Sequence, residues 1–190
     1  RPVYDGGDVS CHEDELESAQ AIYAEQVARL LNEGHKVIGL GGGHEIAFGS
    51  FSGLMQHLQA QGTLPRVGII NFDAHLDLRR SARPSSGTPF NQCAHLCEQL
   101  NTAFHYTCIG VSRCHNTAAL FERAAELNTR IVHDEQLLSW NPIPLFDAVD
   151  MALAEADVIY LTICLDVLPA SLAPGVSAPA VRGMDMGLLE

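Results

Sequence analysis

Five short apolar runs punctuate this chain, and segments with helical spacing separate them. The runs are KVIGL (36–40), RVGIINF (66–72), FHYTCIGV (104–111), TRIVH (129–133) and DVIYLTICLD (157–166). Near-continuous apolar character over so short a length is the mark of a strand buried on both faces, as in a parallel sheet covered by helices. The intervening segments predict helices over 12–33, from His44 through 61, and over 89–101, 117–128 and 144–156. In the first, Leu16, Ala19, Ile22, Tyr23, Val27, Leu30 and Leu31 fall on one stripe. Acidic residues crowd its first turns, Gly34 supplies a stop, and Pro89 opens the third helix. Strand alternating with helix predicts an α/β domain with a mostly parallel sheet.

A chain of 190 residues, 47% of them hydrophobic, suits one domain with a full core. It has no apolar stretch of about eighteen residues to span a membrane, and no secretory leader is visible. A net charge of −12 argues against nucleic acid as a partner but leaves room for a small anionic substrate in a locally basic pocket. Six cysteines are present, but the chain is too long and too rich in ordinary core residues to need a disulfide framework, so reduced thiols and a cytoplasmic location are expected. Cys93, His95 and Cys97 would splay around a helix, because only residues four apart share a face, and they are read as packing residues. Arg1 at the start and the helix-like GMDMGLLE at the end read as a chain truncated at both ends.

Ligands of parallel α/β sheets bind beyond the carboxyl ends of the strands. Three runs lead there into polar, metal-competent segments: GGGHE (41–45), NFDAHLDLR (71–79) and CLD (164–166). Asp73, His75 and Asp77 alternate, so an extended backbone would turn two carboxylates and an imidazole to one side. Such a cluster is costly unless a cation compensates it. GGGHE lacks the pattern of a phosphate loop, and reads either as a glycine turn with a helix-capping His44 and Glu45 in the first turn, or as close backbone approach to a metal with His44 as a ligand. Carboxylates mixed with imidazole suit manganese, or else iron, cobalt or nickel. The number of carboxylates suggests two ions, able to turn a water held between them into a hydroxide nucleophile. No serine nucleophile motif is present.

GGGHE, NFDAHLDLR and the stretch DVLPASLAPGVSAP resemble the ureohydrolase superfamily of arginases and agmatinases. RPSSGTPFNQ together with APGVSAPA most resembles its formimidoylglutamase branch. The resemblance implies a three-layer α/β/α fold and two Mn2+ per subunit. It implies hydrolysis of N-formimidoyl-L-glutamate to L-glutamate and formamide in histidine degradation, and assembly as trimers or hexamers. Carried over by motif, the metal ligands are His44, Asp73, His75, Asp77, Cys164 and Asp166. Asp73 and position 164 are the expected bridges, and Asp77 also holds the hydroxide. Arg79, Arg83 and Arg113, in or near loops after strands, are candidates to pair with the substrate carboxylates. Asn91, Ser85 and Thr88 are further polar candidates. Guanidine-cleaving relatives carry His where this chain has Ser86, which leaves the proton shuttle unassigned.

The family pattern has Asp where this chain has Cys164. A thiol offers one donor atom, so it can bridge through sulfur, ligate one ion, or stay a protonated core group. Weaker manganese occupancy at one site is expected. The alternatives are another ureohydrolase of the agmatinase or guanidinobutyrase kind, or a non-catalytic relative with an impaired centre. A cationic substrate would favour acidic residues in the long polar loop expected over 79–92, which instead holds Arg79, Arg80 and Arg83 and no acid.

Overall fold

The computed structural model describes residues 2–12, 15–62, 64–137 and 140–190. Four strands form one all-parallel sheet: β1 (Val67–Phe72), β2 (His105–Val111), β3 (Arg130–His133) and β4 (Val158–Ile163), in the order β3-β2-β1-β4. The helices are α1 (Leu16–Asn32), α2 (Ile46–Ala60), α3 (Pro89–Gln99), α4 (Ala118–Glu126), α5 (Ile143–Glu155) and α6 (Met186–Leu189). No helix among the described residues is long and apolar enough to cross a membrane.

The sheet separates two apolar cores, which makes the domain three layers. On one face Val67 and Ile69 of β1 pack with Phe51 and Met55 of α2, Phe90, Cys93 and Cys97 of α3, and Ala124 of α4. On the other, Ile70 and Ile109 pack with Leu145, Ala148 and Ala152 of α5 and with Val167 and Met184. Strand alternation sends Ile69 and Ile70 to opposite cores, so both faces of β1 carry apolar residues. Cys93 and Cys97 lie one helical turn apart on the buried stripe of α3, and His95 is exposed. Helix α1 lies against α2 where Gly53 leaves room: a Cβ there would stand 2.5 Å from the Ala24 carbonyl oxygen.

One expected strand is corrected. Residues 36–40 enter no ladder among the described residues, and Ile38 and Leu40 are 83% and 92% exposed. An apolar run becomes a strand only where a neighbouring edge offers main-chain partners. His44, just beyond this segment, touches Thr162 of β4. β4 itself has its only ladder among the described residues with β1. Leu161 and Ile163 of β4 are likewise 56% and 46% exposed. The last strand also ends earlier than expected, at Ile163, and a single 3-10 turn over Leu165–Val167 follows. That turn redirects Asp166 into the site.

Candidate metal centre

The carboxyl ends of β1 and β4 hold the chemistry. Beyond Phe72 the chain leaves the ladder but stays between its neighbours: Asp73 donates its N–H to the Ile109 carbonyl, Ser112 to Ala74, and Cys164 to Phe72, at 2.9, 2.9 and 2.8 Å. The expected extended stretch is in fact a turn, with Asp77 in the left-handed region at φ 48°. Asp tolerates that conformation better than most residues. Asp73, His75 and Asp77 nevertheless converge, because the turn swings Asp77 back towards His44.

Asp73 is the centre of the cluster, with no exposed surface. Its Oδ2 lies 2.8 Å from His44 Nδ1 and its Oδ1 lies 3.5 Å from His75 Nδ1. One carboxylate thus faces two imidazoles with separate oxygens. Oδ1 also accepts the His75 main-chain N–H at 2.7 Å, and Oδ2 accepts Asn71 Nδ2 at 3.2 Å. His44 Nδ1 lies 3.0 Å from Asp77 Oδ2, and its Nε2 lies 3.0 Å from Thr162 Oγ1. Its ring meets the Phe90 ring edge-on, with centroids 5.2 Å apart. His75 Nδ1 lies 3.0 Å from Asp166 Oδ2, and its ring stacks on His115 at 5.7 Å. Cys164, half-buried, hydrogen-bonds to His44.

Two donor groups result, sharing Asp73: His44, Asp73 and Cys164, and Asp73, His75 and Asp166. Within each, the ligand atoms lie within 4.8 Å of one another.

The electrostatics reflect crowding. Burial opposes charge on His44, but the hydrogen-bonded carboxylates of Asp73 and Asp77 outweigh it and hold the imidazole well above its ordinary range. Burial likewise opposes charge on Asp73, and the hydrogen bonds to His44 and His75 override it, keeping the group well below the usual carboxylate range. Hydrogen bonds to Asp166 and Asp73 push His75 up to about 10. Burial, then the charge of Asp73, raises Asp77 to about 6. Burial pushes the Cys164 thiol up to about 11.

Three carboxylates, two imidazoles and a thiol in one buried neck fit divalent cations by donor type. The Asp73 carboxylate, with one oxygen towards each group, fits a ligand shared between two of them.

Several supporting residues escaped the sequence reading. Asn71, wholly buried in β1, donates to Asp73 and to the Tyr106 hydroxyl oxygen, and Tyr106 donates to the Leu76 carbonyl. Asn116 donates to the carbonyls of Ala74 and Ser112 at 2.9 and 2.8 Å and accepts the Leu76 N–H at 2.9 Å, which pins the turn that carries His75. The available signals were a polar Asn71 inside an apolar run and a Thr162 two residues before Cys164, on the same face of β4.

The six ligand candidates come together, whereas the substrate candidates spread over the 79–88 loop, the first turn of α3 and the segment after β2. Arg79 and Arg83 are exposed on the 79–88 loop, and Arg79 donates its main-chain N–H to Gly87 at 2.9 Å. Arg113 is exposed and paired with Glu135 at 2.9 Å. Asn91 is buried and accepts from Arg123 Nε at 3.0 Å. Thr88, just before α3, is buried, and its hydroxyl donates to the Ser85 carbonyl at 2.9 Å.

Known proteins share this sequence and fold. The chain is 53% identical over its whole length to a formimidoylglutamase of Aeromonas salmonicida, and 48% identical to one of Ralstonia nicotianae. It spans only 60% and 59% of the lengths of those relatives. In fold it matches the crystal structure of formimidoylglutamase from Bacillus subtilis at 24% identity, with a TM-score of 0.80, over 96% of this chain and 56% of that one. It matches a Trypanosoma cruzi formiminoglutamase variant with Mn2+ equally well, with a TM-score of 0.80 at 24% identity, over 97% of this chain and 59% of that one. The sequence profile of the Arginase family covers residues 1–189, and the chain belongs to that family.

Proposed function

We propose that the protein hydrolyses N-formimidoyl-L-glutamate to L-glutamate and formamide, as a step of histidine degradation in the cytoplasm, using two Mn2+ per subunit. The observation that carries this reading is Asp73, whose two oxygens serve two imidazole-bearing donor groups. Relatives about half identical and named formimidoylglutamase support the substrate. The family resemblance supports a trimer or hexamer.

His44, Asp73, Asp77 and Cys164 would hold one ion, and Asp73, His75 and Asp166 the other. When bound, two such cations supply Lewis acidity and lower the pKa of a water between them. The remaining chemistry falls to side chains. Asp77 accepts the hydrogen bond of the attacking water and aims it at the formimidoyl carbon. Thr162 accepts from His44 Nε2–H, which leaves Nδ1 free as the ligand atom. Arg79, Arg83 and Arg113 pair with the two substrate carboxylates, and Asn91 adds a polar contact at the loop. The carbon–nitrogen bond to glutamate breaks, the water oxygen becomes the formamide oxygen, and the departing amine takes up a proton.

The test is a substrate panel on the reduced full-length protein loaded with manganese. Turnover of N-formimidoyl-L-glutamate well above that of agmatine and 4-guanidinobutyrate is expected. Turnover of a guanidine compound instead would move the protein to another ureohydrolase activity. No turnover on any of them, with metal bound, would favour the non-catalytic reading that Cys164 motivates.

A further inference from the structure

The two donor groups differ in chemical hardness. Both contain one imidazole and one Asp73 oxygen. The third donor is the Cys164 sulfur in the first group and an Asp166 oxygen in the second. The backbone imposes this division. Cys164 is held by its N–H on the Phe72 carbonyl at 2.8 Å, beside β1 and facing His44. The Leu165–Val167 turn then carries Asp166 across to His75 Nδ1, 3.0 Å away. A carboxylate at position 164 could lend an oxygen to each group, but one sulfur atom sits with His44.

Thiolate sulfur favours zinc, cobalt and similar thiophilic cations, whereas imidazole with carboxylates accommodates manganese. We infer that this chain holds an asymmetric centre, with a thiophilic divalent cation at His44, Asp73 and Cys164 and a harder one at Asp73, His75 and Asp166. The inference rests on the two-metal reading above and replaces manganese with a thiophilic cation at the Cys164 site alone. Binding exchanges the sulfur–hydrogen bond for a sulfur–metal bond and releases one proton to solvent, with no change of oxidation state. Asp77, 3.0 Å from His44 Nδ1, supplies the first cation with a further oxygen.

Cobalt(II) reports the sulfur directly, because thiolate ligation gives an intense near-ultraviolet charge-transfer band that oxygen and nitrogen ligands do not. The metal-free, reduced full-length protein is titrated with Co2+. The expected result is a band that saturates at about one equivalent per chain and is missing from Cys164→Ser and Cys164→Asp. Zinc outcompetes manganese at most sites, so selectivity is judged as a difference between proteins. The preference for Zn2+ over Mn2+, read as bound metal per chain by plasma mass spectrometry, should exceed that of Cys164→Asp by about tenfold or more, at least the size of outer-shell effects on affinity.

Cobalt bound without the band, or equal selectivity in the two proteins, overturns the asymmetric centre and leaves the metal site standing. Absence of metal from every protein overturns both. The wild-type spectrum decides the matter even if a variant fails to fold.

Discussion

Loading the metal centre should release more protons than its residue types alone would suggest. A bound cation requires neutral imidazoles and a thiolate. In the metal-free protein His75 is pushed up to about 10 and Cys164 to about 11, and His44 is held well above its ordinary range. At pH 8 all three are protonated, whereas Asp77, raised only to about 6, is already ionised. Filling both sites should therefore expel about three protons per chain. Donors with ordinary values would expel about one, from the thiol alone, because imidazole is neutral at that pH. The sign follows from the raised values: below them protons compete with the cation, so affinity climbs with pH. For His75 alone, standing about two units above pH 8, competition lowers the apparent affinity about 100-fold. Calorimetric titration of metal-free protein with Mn2+, at concentrations that fill both sites, in three buffers of different ionisation enthalpy counts the protons, to which a water ionised between the cations adds about one whatever the donor values. Cys164→Asp, lacking the thiol proton, should release about two besides that one. A wild-type count of about one or fewer besides the water proton would refute the view that ion-paired imidazolium groups guard the site.

Other perturbations read other parts of the arrangement. Thr162→Val removes the partner of His44 Nε2 and should weaken manganese binding about 10–100-fold, measured by competition with a chelator, while the thermal midpoint barely moves. Unchanged affinity would show that Thr162 does not fix the tautomer. Gly110 has φ +100°, and a Cβ there would lie 2.3 Å from Val167 Cγ2, so Gly110→Ala should cost about 1–3 kcal/mol in urea unfolding. No loss of stability would mean that the 165–167 turn yields easily. Cys164→Asp should raise manganese content towards two per chain and increase turnover, and equal content and turnover in the two proteins would reject a weakened site at position 164.

The strands and the ligands were legible for different reasons. β1 and β2 announce themselves because burial on both faces leaves few polar positions, such as Asn71 and Thr107, to break the apolar run. The ligand candidates could be located because Asp73, His75 and Asp77 follow an apolar strand directly, at a strand end where side chains converge. The same logic failed for 36–40, since an apolar run does not carry the identity of its neighbour, and pairing is a property of the whole sheet. It gave the convergence of Asp77 but not its route, because a left-handed residue in a turn leaves little trace in composition when that residue is Asp rather than Gly. Asn71 and Asn116 went unseen because each, besides a near neighbour, ties in partners far along the chain, Tyr106 for one and Ala74 with Leu76 for the other. Nothing at the positions of Arg79, Arg83, Arg113 or Asn91 encodes which loop surface a substrate will meet.

The outer edge of β4 bears on how these 190 residues behave outside the cell. From Val158 to Cys164 the strand carries no charge and no proline, the usual devices by which a free edge repels another. On that edge its N–H and C=O groups enter no ladder among the described residues, and Leu161 and Ile163 are exposed, as are Ile38 and Leu40 ahead of His44. Such an edge is a template for strand addition, so chains studied at high concentration with it uncovered should self-associate and precipitate. Lysine at an outward position of β4, such as Leu161→Lys, is the substitution that should keep them in solution.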